Sequence, residues 1–538
     1  MATEAPLRRS SRAPPSKTAK PPSRATAKAA TRPPASKAAT TTTKPKSTAT
    51  KKRAASTERS PSPPPKRTKK AVAENVDPTA RHGKKRTDAT VVPQREPYFN
   101  PLPAPPPKAR PGLQLFAWGA GNFGQFGMGP DNLGEFDKPK KHAWCEEQIA
   151  EGTFGDDNAG IEFIATGGMH TIMVDEKGTV WTCGVNDDAA LGRVTEGIPD
   201  PDGELSNIPH PVESLVAENF RTVRVASGDS ICVAVDDKGE LRVWGSFRGN
   251  EGTLGFSESA RHQFKPIPIN IDLIHKPGDY EKVSAVECGG NHIIILTTHG
   301  HIYTWGSGQQ AQLGRKVLER HQLRGTHPQK VVLSRSLRAK VIGAGTYHSF
   351  AVDENGTVWA WGLNSMGQLG TGLDEKGDEC VATPRVVRRL SKEELGGETV
   401  VQIHGGEHHT LFLTSGGRVF ACGRANSSQL GLAKDDKAWE GDSSREFLPE
   451  PVEVTFPDDA DDDPVVQIDA GLHNNMAITK DGALYCWGQG TQGELGVPDV
   501  EVETPRVLVR REGGSWAAKQ VACGGQHTMA LLRDKRQK

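Results

Sequence analysis

A motif of about 30 residues recurs along most of this 538-residue chain and restricts the folds that it can adopt. In its most regular copy, residues 341–370, a glycine-rich turn and an apolar strand are followed by a turn at Asn355-Gly356 and the strand TVWAWG. The first half, G-x-x-H, is marked by His170, His292, His348, His408, His473 and His527, with Ser230 standing for the histidine in the second copy. The second half ends at Trp118-Gly119, Cys183-Gly184, Trp244-Gly245, Trp305-Gly306, Trp361-Gly362, Cys422-Gly423 and Trp487-Gly488.

Each half occurs seven times, with a period of about 60 residues. Seven copies of a four-strand unit predict an all-β fold, a seven-bladed β-propeller, because radial repetition leaves few exposed edges. The period exceeds the roughly 40–50 residues of WD and kelch propellers. The array starts with the W-G half at 115–119 and ends with the G-x-x-H half at 521–532. We therefore expect inner C-terminal strands and outer N-terminal strands to close the ring in one composite blade.

The predicted propeller domain covers residues 111–538 and is acidic, whereas the segment before it is strongly basic. Residues 1–111 contain 26 Lys and Arg against 6 Asp and Glu, whereas residues 112–538 contain 41 against 60. Almost no large apolar residue precedes Val91, so this segment cannot bury enough surface to offset the entropy of ordering. Residues 1–110 are therefore predicted to be a disordered basic arm on an acidic body.

Two basic clusters about a dozen residues apart in this arm resemble a bipartite nuclear-import signal. They consist of Lys51, Lys52 and Arg53, and of Lys66, Arg67, Lys69 and Lys70. A merely solubilising tail is the alternative interpretation. Ser60-Pro61 and Ser62-Pro63 lie between the clusters, and phosphorylation there would lower the local positive charge.

Cysteine usage and hydropathy favour an intracellular protein without a membrane span. The eight cysteines form no C-x-x-C pair, and several lie on predicted strands as small apolar residues. We expect them to be reduced. No run of about 18 apolar residues and no apolar N-terminal signal segment is present.

Catalytic motifs and metal-ligand spacings are missing from the sequence, so we expect no cofactor and no metal. The recurrent histidines are first explained by a shared structural need, a hydrogen bond that ties a tight glycine turn to a neighbouring strand. H-E-x-x-H, G-x-S-x-G and P-loop motifs do not occur. The tryptophans follow the repeat and are interpreted as core residues, which weakens a photoreceptor role.

The second unit departs from the repeat just after Trp244. Where other units read N-x-x-G-Q-L-G, this one reads SFRGNEGTLG. Its residues Arg248, Gly249, Asn250, Glu251 and Gly252 would form a protruding, glycine-hinged polar finger. An ordinary long hairpin turn is the alternative.

These motifs resemble the regulator-of-chromosome-condensation family over residues 112–538. The resemblance rests on the G-G-x-H and W-G-x-N-x-x-G-Q-L-G patterns, the WGSFRGNEG stretch, CGGQHT at 523–528 and the basic arm. It implies guanine-nucleotide exchange on the small GTPase Ran, with residues 248–253 (Arg248 to Thr253), here called the finger, as a wedge. It places Asp229, Asn291, His408 and His527 on the exchange face. Asn291 stands where the vertebrate members of the family have an aspartate, so this residue keeps hydrogen bonding but not the charge.

The resemblance also implies a nuclear, chromatin-associated protein with further partners. A basic loop at 313–330, with Arg315, Lys316, Arg320 and Arg324, would engage the nucleosome, Arg324 above all. The arm would contact DNA phosphates and bind a nuclear import receptor. A non-catalytic chromatin-binding or scaffold propeller using the same surface remains the alternative, although a scaffold has no evident use for the finger.

Overall fold

The computed structural model describes residues 98–200, 203–334, 336–372, 379–441, 444–457 and 462–536. Both basic clusters of the arm and the two Ser-Pro sites lie outside these ranges. Within them the strands form seven four-stranded antiparallel units, which we number 1–7 in chain order, together with short hairpins.

The bounds of the elements follow the repeat. The chain begins with β1 (Gln114–Ala120) and β2 (Glu135–Lys141). Unit 1 contains β3 (Ile161–Thr166), β4 (His170–Asp175), β5 (Val180–Gly184) and β6 (His210–Pro211). Unit 2 contains β7 (Thr222–Ser227), β8 (Ile231–Asp236) and β9 (Leu241–Gly245), then the hairpin β10 (Phe247–Gly249) and β11 (Gly252–Gly255), and the outer strand β12 (Gln263–Ile267).

A small hairpin, β13 (His275–Lys276) and β14 (Asp279–Tyr280), precedes the remaining units. Unit 3 contains β15 (Val283–Gly289), β16 (His292–Thr297), β17 (Ile302–Gly306) and β18 (Gln329–Val331). Unit 4 contains β19 (Ala339–Ala344), β20 (His348–Asp353), β21 (Val358–Leu363) and β22 (Cys380–Val386). Unit 5 contains β23 (Val400–Gly405), β24 (His409–Thr414), β25 (Val419–Arg424) and β26 (Phe447–Glu453).

Unit 6 contains β27 (Val465–Ala470), β28 (Asn474–Thr479), β29 (Leu484–Gln489) and β30 (Glu501–Val509). The last strands are β31 (Trp516–Cys523) and β32 (His527–Asp534). The loops carry α1 (Ala143–Glu151), α2 (Glu204–Asn207), α3 (Glu213–Ala217) and 3-10 turns at Pro130–Asn132, Glu319–Thr326 and Lys437–Trp439.

The ring is closed by strands from both ends of the array. Unit 7 has the strand order β2-β1-β32-β31, in which Gly119 pairs with His527. The first strands of the seven units contact one another in a closed cycle, and β31 meets β3. These strands line a central cavity of about 1330 Å³. The predicted all-β propeller with composite closure is thus confirmed.

The second strand of each unit explains why the repeat is so apolar. Strands such as β4 and β20 are buried at every position, since both faces of an inner strand of a sheet pack against neighbouring units. An aspartate ends several of these strands, and the Asp353 carboxylate accepts hydrogen bonds from the backbone N–H groups of Asn355 and Thr357. This Asx turn fixes the tight return to the third strand.

The W-G tryptophans do more than fill the core. Each is fully or almost fully buried: Trp118, Trp244, Trp305, Trp361 and Trp487. The Trp361 Nε1–H donates to the backbone carbonyl of Gln312 in the preceding unit, at 3.0 Å, and Trp118 does the same to Glu494 across the closure, at 2.8 Å. A buried indole N–H needs such a partner, so Trp118 and Trp361 each join adjacent units.

The repeat histidines also link adjacent units. His348 Nε2 lies 2.8 Å from Thr410 Oγ1, whose hydroxyl donates to the carbonyl of Gln368 at 2.7 Å. Because that hydroxyl has one proton, the imidazole is the donor in the first bond. His527 makes the equivalent contact to Thr171, at 2.9 Å, and so closes the ring. The predicted structural role of the histidines is therefore observed.

Three of the seven predicted repeat positions are corrected by strand register. His348 pairs with Gly362, and the residues in the same register are Ile231, His409 and Asn474. The sequence-based assignments, one residue earlier, were Ser230, His408 and His473. For Ile231 of unit 2, the partner position in unit 3 holds Ile293, and both isoleucines are fully buried. Replacing both members of a hydrogen-bonded pair by apolar residues leaves no unsatisfied group.

The buried histidines predict acid-sensitive folding. Burial lowers the pKa values of His170, His292, His348, His409 and His527 from 6.5 to between about 3 and about 4. Below pH 6.5 the unfolded chain binds protons that the folded chain excludes, so stability falls as pH falls. Each histidine contributes a slope of about 1.4 kcal/mol per pH unit. His348→Asn, which copies Asn474, should reduce the slope of the unfolding free energy by that amount between pH 6 and 4.5. His275→Asn, at an exposed position, is the control, and an unchanged slope in His348→Asn would contradict the assignment.

The segment 98–112, here called the strap, corrects the predicted domain boundary at residue 110. The Asn100 side-chain amide donates to the carbonyls of Thr297 and Ala339, each at 3.0 Å. At the other end, the Arg110 guanidinium forms a two-point ion pair with the buried Glu176 carboxylate. The strap also lines the central cavity. Residues 98–110 therefore belong to the propeller rather than to the arm.

Candidate functional site

The G-x-x-H turns form a collar around one end of the central cavity. Backbone groups bond from turn to turn: the Asp229 N–H donates to the Gly290 carbonyl at 2.7 Å, and the Gly290 N–H donates to the Thr346 carbonyl at 3.2 Å. Such close approach leaves no room for a Cβ at the first glycine, and one added at Gly228 would lie 2.4 Å from the carbonyl oxygen of Gly289. The side chains of the second and third turn positions therefore define this face.

The polar side chains at these positions form what we call the rim. The rim consists of Asp229, Asn291, Tyr347, Glu407, His408 and His473. All are partly buried except Asn291, which is 8% exposed. Three predicted exchange-face residues, Asp229, Asn291 and His408, are thus brought together on this surface.

The fourth predicted face residue, His527, does not belong to the rim. Its side chain has no exposed surface and lies between units 7 and 1, where it contacts Thr171. It occupies the fourth turn position, and the residue one position earlier is Gln526. The structure therefore places the His527 side chain inside the propeller, where it links units 7 and 1, and not on the exposed surface of the rim.

Asn291 joins the rim to the finger. Its Nδ2 donates to Asp229 Oδ2 at 2.7 Å, and its Oδ1 accepts the backbone N–H of Arg248 at 2.7 Å. Burial raises the pKa of the Asp229 carboxyl, whereas the Asn291 amide and the Arg248 charge oppose that shift. An amide can make both bonds at once because it has a donor and an acceptor, so Asn291 contacts Asp229 and the finger together.

An aspartate at position 291 should destabilise this arrangement at neutral pH. Asn291→Asp would place a second carboxylate against Asp229, which raises the pKa of the pair and costs about 1–3 kcal/mol. A group with a raised folded-state pKa loses stability as pH rises, so the deficit should grow from pH 4.5 to 7.5. Thermal denaturation at both pH values measures it. Asn291→Ala adds no charge and removes only the hydrogen bond to Asp229, so its deficit should grow less with pH than that of Asn291→Asp. An equal dependence on pH in the two variants would contradict the model.

The other side of the rim is built around Glu407. His408 Nδ1 lies 3.4 Å and His473 Nε2 lies 3.7 Å from the Glu407 carboxylate. The neighbouring His408 lowers the pKa of this carboxyl, and burial together with the negative charge of Glu407 raises the pKa of the Tyr347 hydroxyl. The rim thus presents two carboxylates flanked by hydrogen-bonding groups to whatever docks on this face.

The finger is a β-hairpin that extends beyond the repeat. Strands β10 and β11 pair Arg248 with Thr253 and Gly249 with Gly252, and Asn250-Glu251 forms the turn. Arg248, Gly252 and the two turn residues are exposed. Phe247 at the base is fully buried. The finger is therefore a short two-stranded ribbon with an exposed tip.

The basic loop differs from the prediction at Arg315. The guanidinium of Arg315 points inward and donates to the carbonyls of Thr304, Gly325 and His327 at 2.9, 3.3 and 3.1 Å. Burial lowers its pKa to about 10. Arg193, after the same L-G pair in unit 1, makes equivalent bonds to Thr182 and Leu205. Arg315 is therefore a structural repeat residue, whereas Lys316, Arg320 and Arg324 are exposed.

In the described parts of the chain, His, Cys, Asp and Glu side chains form no group of three or more that could hold a metal ion. Among the described helices, none has the length and apolar character needed to cross a bilayer.

Comparison with known proteins gives the same family over nearly the whole propeller. The model of the RCC1-like domain matches residues 114–530. Protein pim1 of Schizosaccharomyces pombe is 34% identical over 78% of this chain and 74% of its own length. Guanine nucleotide exchange factor SRM1 of Saccharomyces cerevisiae is 30% identical over 86% of this chain and 96% of its own length.

A solved structure agrees with these matches. The crystal structure of Prp20p from Saccharomyces cerevisiae, described with its binding properties to Gsp1p and histones, has a TM-score of 0.68 and 30% identity, and covers 79% of this chain and 93% of its own. A second structure, yeast RCC1 (Prp20) with bound Kap60, has a TM-score of 0.68 and 29% identity over 85% of this chain and 97% of its own. The chain therefore belongs to the family of RCC1-like domain proteins.

Proposed function

We propose that this protein is a guanine-nucleotide exchange factor for the small GTPase Ran. The finger is the observation that carries the proposal, because its tip is exposed and it is hydrogen-bonded to the rim through Asn291. The relative named as an exchange factor supports the activity. The structure described with Gsp1p supports a protein partner for this fold.

The rim and the finger have different tasks in this mechanism. The rim, with Asp229 and His408, docks the GTPase, and the finger is pressed against the loop that holds the nucleotide phosphates. Nucleotide bound with a nanomolar to picomolar Kd has about 12–16 kcal/mol of binding free energy to be offset. The protein offsets it by binding the nucleotide-free GTPase more tightly than the loaded one. No covalent bond changes, and incoming GTP displaces the exchange factor.

A non-catalytic scaffold that uses the same face is the second candidate. A scaffold would require the rim but not a protruding hairpin, which costs conformational entropy to hold in place. The two functions differ in one measurable quantity, the rate at which the GTPase releases nucleotide.

Release of fluorescent GDP from purified Ran separates these functions. With substoichiometric protein and excess GTP, an exchange factor accelerates release over many turnovers. Stoichiometric binding without acceleration would leave only the scaffold. A GTPase of another family serves as the control for partner specificity.

We also propose that the protein acts in the nucleus, on chromatin. The histone-binding relative supports a nucleosome partner, and the Kap60 complex supports an import receptor as partner of the basic arm. The exposed Lys316, Arg320 and Arg324 supply the positive charge of the basic loop, which complements an acidic histone surface.

Reversal of one loop charge should weaken nucleosome binding selectively. Arg324→Glu is expected to raise the Kd for nucleosomes about tenfold, because it replaces an attractive contact by a repulsive one. Lys138→Glu, an equal charge change on the exposed part of β2, should have a much smaller effect. Binding measured by gel shift at two salt concentrations tests this, and equal losses in both variants would contradict a specific role of the loop.

A further inference from the structure

The tip of the finger is held from two sides by loops of the flanking units. On one side, Gln309 Oε1 of unit 3 accepts the backbone N–H of Asn250 at 2.7 Å. On the other, the Asp188 carboxylate of unit 1 accepts the Thr253 hydroxyl at 3.1 Å and lies 3.6 Å from Arg248 Nε. These contacts come from residues separated from the finger by about 60 positions in the chain.

The finger has little intrinsic stability of its own. A two-stranded hairpin is at best marginally stable in water, and this one contains Gly249 and Gly252, which add backbone freedom. Only its base is buried, through Phe247. The Gly252 φ of +113° is strained for any other residue, and nothing lies within 4 Å of a Cβ there. Side chains from outside must therefore set the angle of the tip.

Neither Gln309 nor Asp188 has a role in the repeat that would explain where its side chain lies. The Gln309 side chain bonds across to the finger, whereas Gln312 in the same loop makes the repeated loop bond to the N–H of Gln310. The Asp188 side chain is 12% exposed, and it faces Arg248, Thr253 and, at 3.6 Å, His262 of the same unit as the finger. Both side chains are directed at the finger.

We propose that Asp188 and Gln309 are positioning residues for nucleotide exchange, which clamp the finger in the orientation that displaces the phosphate-binding loop of the GTPase. This proposal rests on the proposed function and assigns a task to residues outside the rim. Docking on Asp229 and His408 does not involve the clamp. Loss of the clamp should therefore lower kcat and leave KM for the GDP-bound GTPase nearly unchanged.

The test uses substitutions that remove or keep the acceptor atom. Gln309→Met and Asp188→Ala remove it, and each is expected to lower kcat about tenfold, whereas the double variant should lose more than either alone. Gln309→Glu keeps an acceptor oxygen and should restore most of the rate. Asp187→Ala and Gln310→Ala, at the adjacent positions, are the matched controls and should behave as wild type.

Amide hydrogen exchange of the full-length protein supplies a readout independent of the GTPase. Gln309→Met should speed deuterium uptake in the peptide that contains Asn250 and leave the peptides of β8 and β9 unchanged. Unchanged kcat in the acceptor-free variants, or a rise in KM that accounts for the whole loss, would overturn the clamp. If the wild-type protein does not accelerate GDP release, the proposed exchange activity is refuted. In that case deuterium uptake alone tests the clamp, and unaltered uptake in Gln309→Met would refute it.

Discussion

Replacement of residues 248–253 by an Asn-Gly turn is expected to lower kcat for GDP release at least about 100-fold, a loss of about 2.7 kcal/mol of transition-state stabilisation. The reason is that the shortened hairpin keeps its buried base at Phe247 but no longer reaches a docked GTPase. Asn-Gly suits a two-residue hairpin, so the turn itself should form without strain. Stopped-flow measurement of fluorescent GDP release over a range of GTPase concentrations gives kcat and KM.

Two further measurements identify the cause of that loss. The melting temperature should stay within a few degrees of wild type, because the exposed finger contributes little to the core. The shortened protein should still bind the GTPase and compete with wild type for it. Retention of fast exchange would contradict the wedge mechanism. Loss of both binding and folding would show that the finger is needed for the fold and not specifically for exchange.

The second large effect is expected at Gly245, in the W-G pair of unit 2. Its φ is +103°, and an added Cβ would lie 1.9 Å from the Ser230 carbonyl oxygen. Gly245→Ala therefore combines backbone strain with a clash against fixed backbone, and we expect a loss of about 4–5 kcal/mol in the free energy of unfolding. Chemical denaturation monitored by tryptophan fluorescence measures it.

A second glycine separates the two contributions. Gly134 has a similar φ of +119°, but nothing lies within 4 Å of a Cβ built there. Gly134→Ala should thus cost only the strain of the left-handed backbone, about 1–2 kcal/mol. Equal losses of unfolding free energy at both positions would show that the close approach to the Ser230 carbonyl adds nothing to the cost of Gly245→Ala.

The fold could be predicted from the sequence because the spacing of the repeat indicates the size of each unit. The split of the last unit between the two ends of the array indicates how the ring closes. The seven W-G halves and the split terminal unit follow directly from spacing. The register of individual turns could not be predicted with the same accuracy. His408-His409 offers two histidines for one position, and only the pairing of His409 with Gly423 decides between them.

The candidate site was predicted in part, since its parts depend on contacts between units. The finger was visible as an irregularity, and Asp229 and His408 lie on the rim. The inward orientation of Arg315 could have been inferred from the L-G-R triplet that it shares with Arg193. The contacts of Asp188 and Gln309 carry no local sequence signal, because they join residues of different units.

The strand order of unit 7 has a consequence for how the protein is made. On a ribosome, β1 and β2 appear first and can pair with each other, yet the second partner of β1 is β32, which is synthesised about 400 residues later. During that interval β1 has an unpaired edge and an apolar face, features that favour aggregation. Translation must therefore be nearly complete before the ring can lock, so chaperone protection of the nascent chain matters most for its earliest strands.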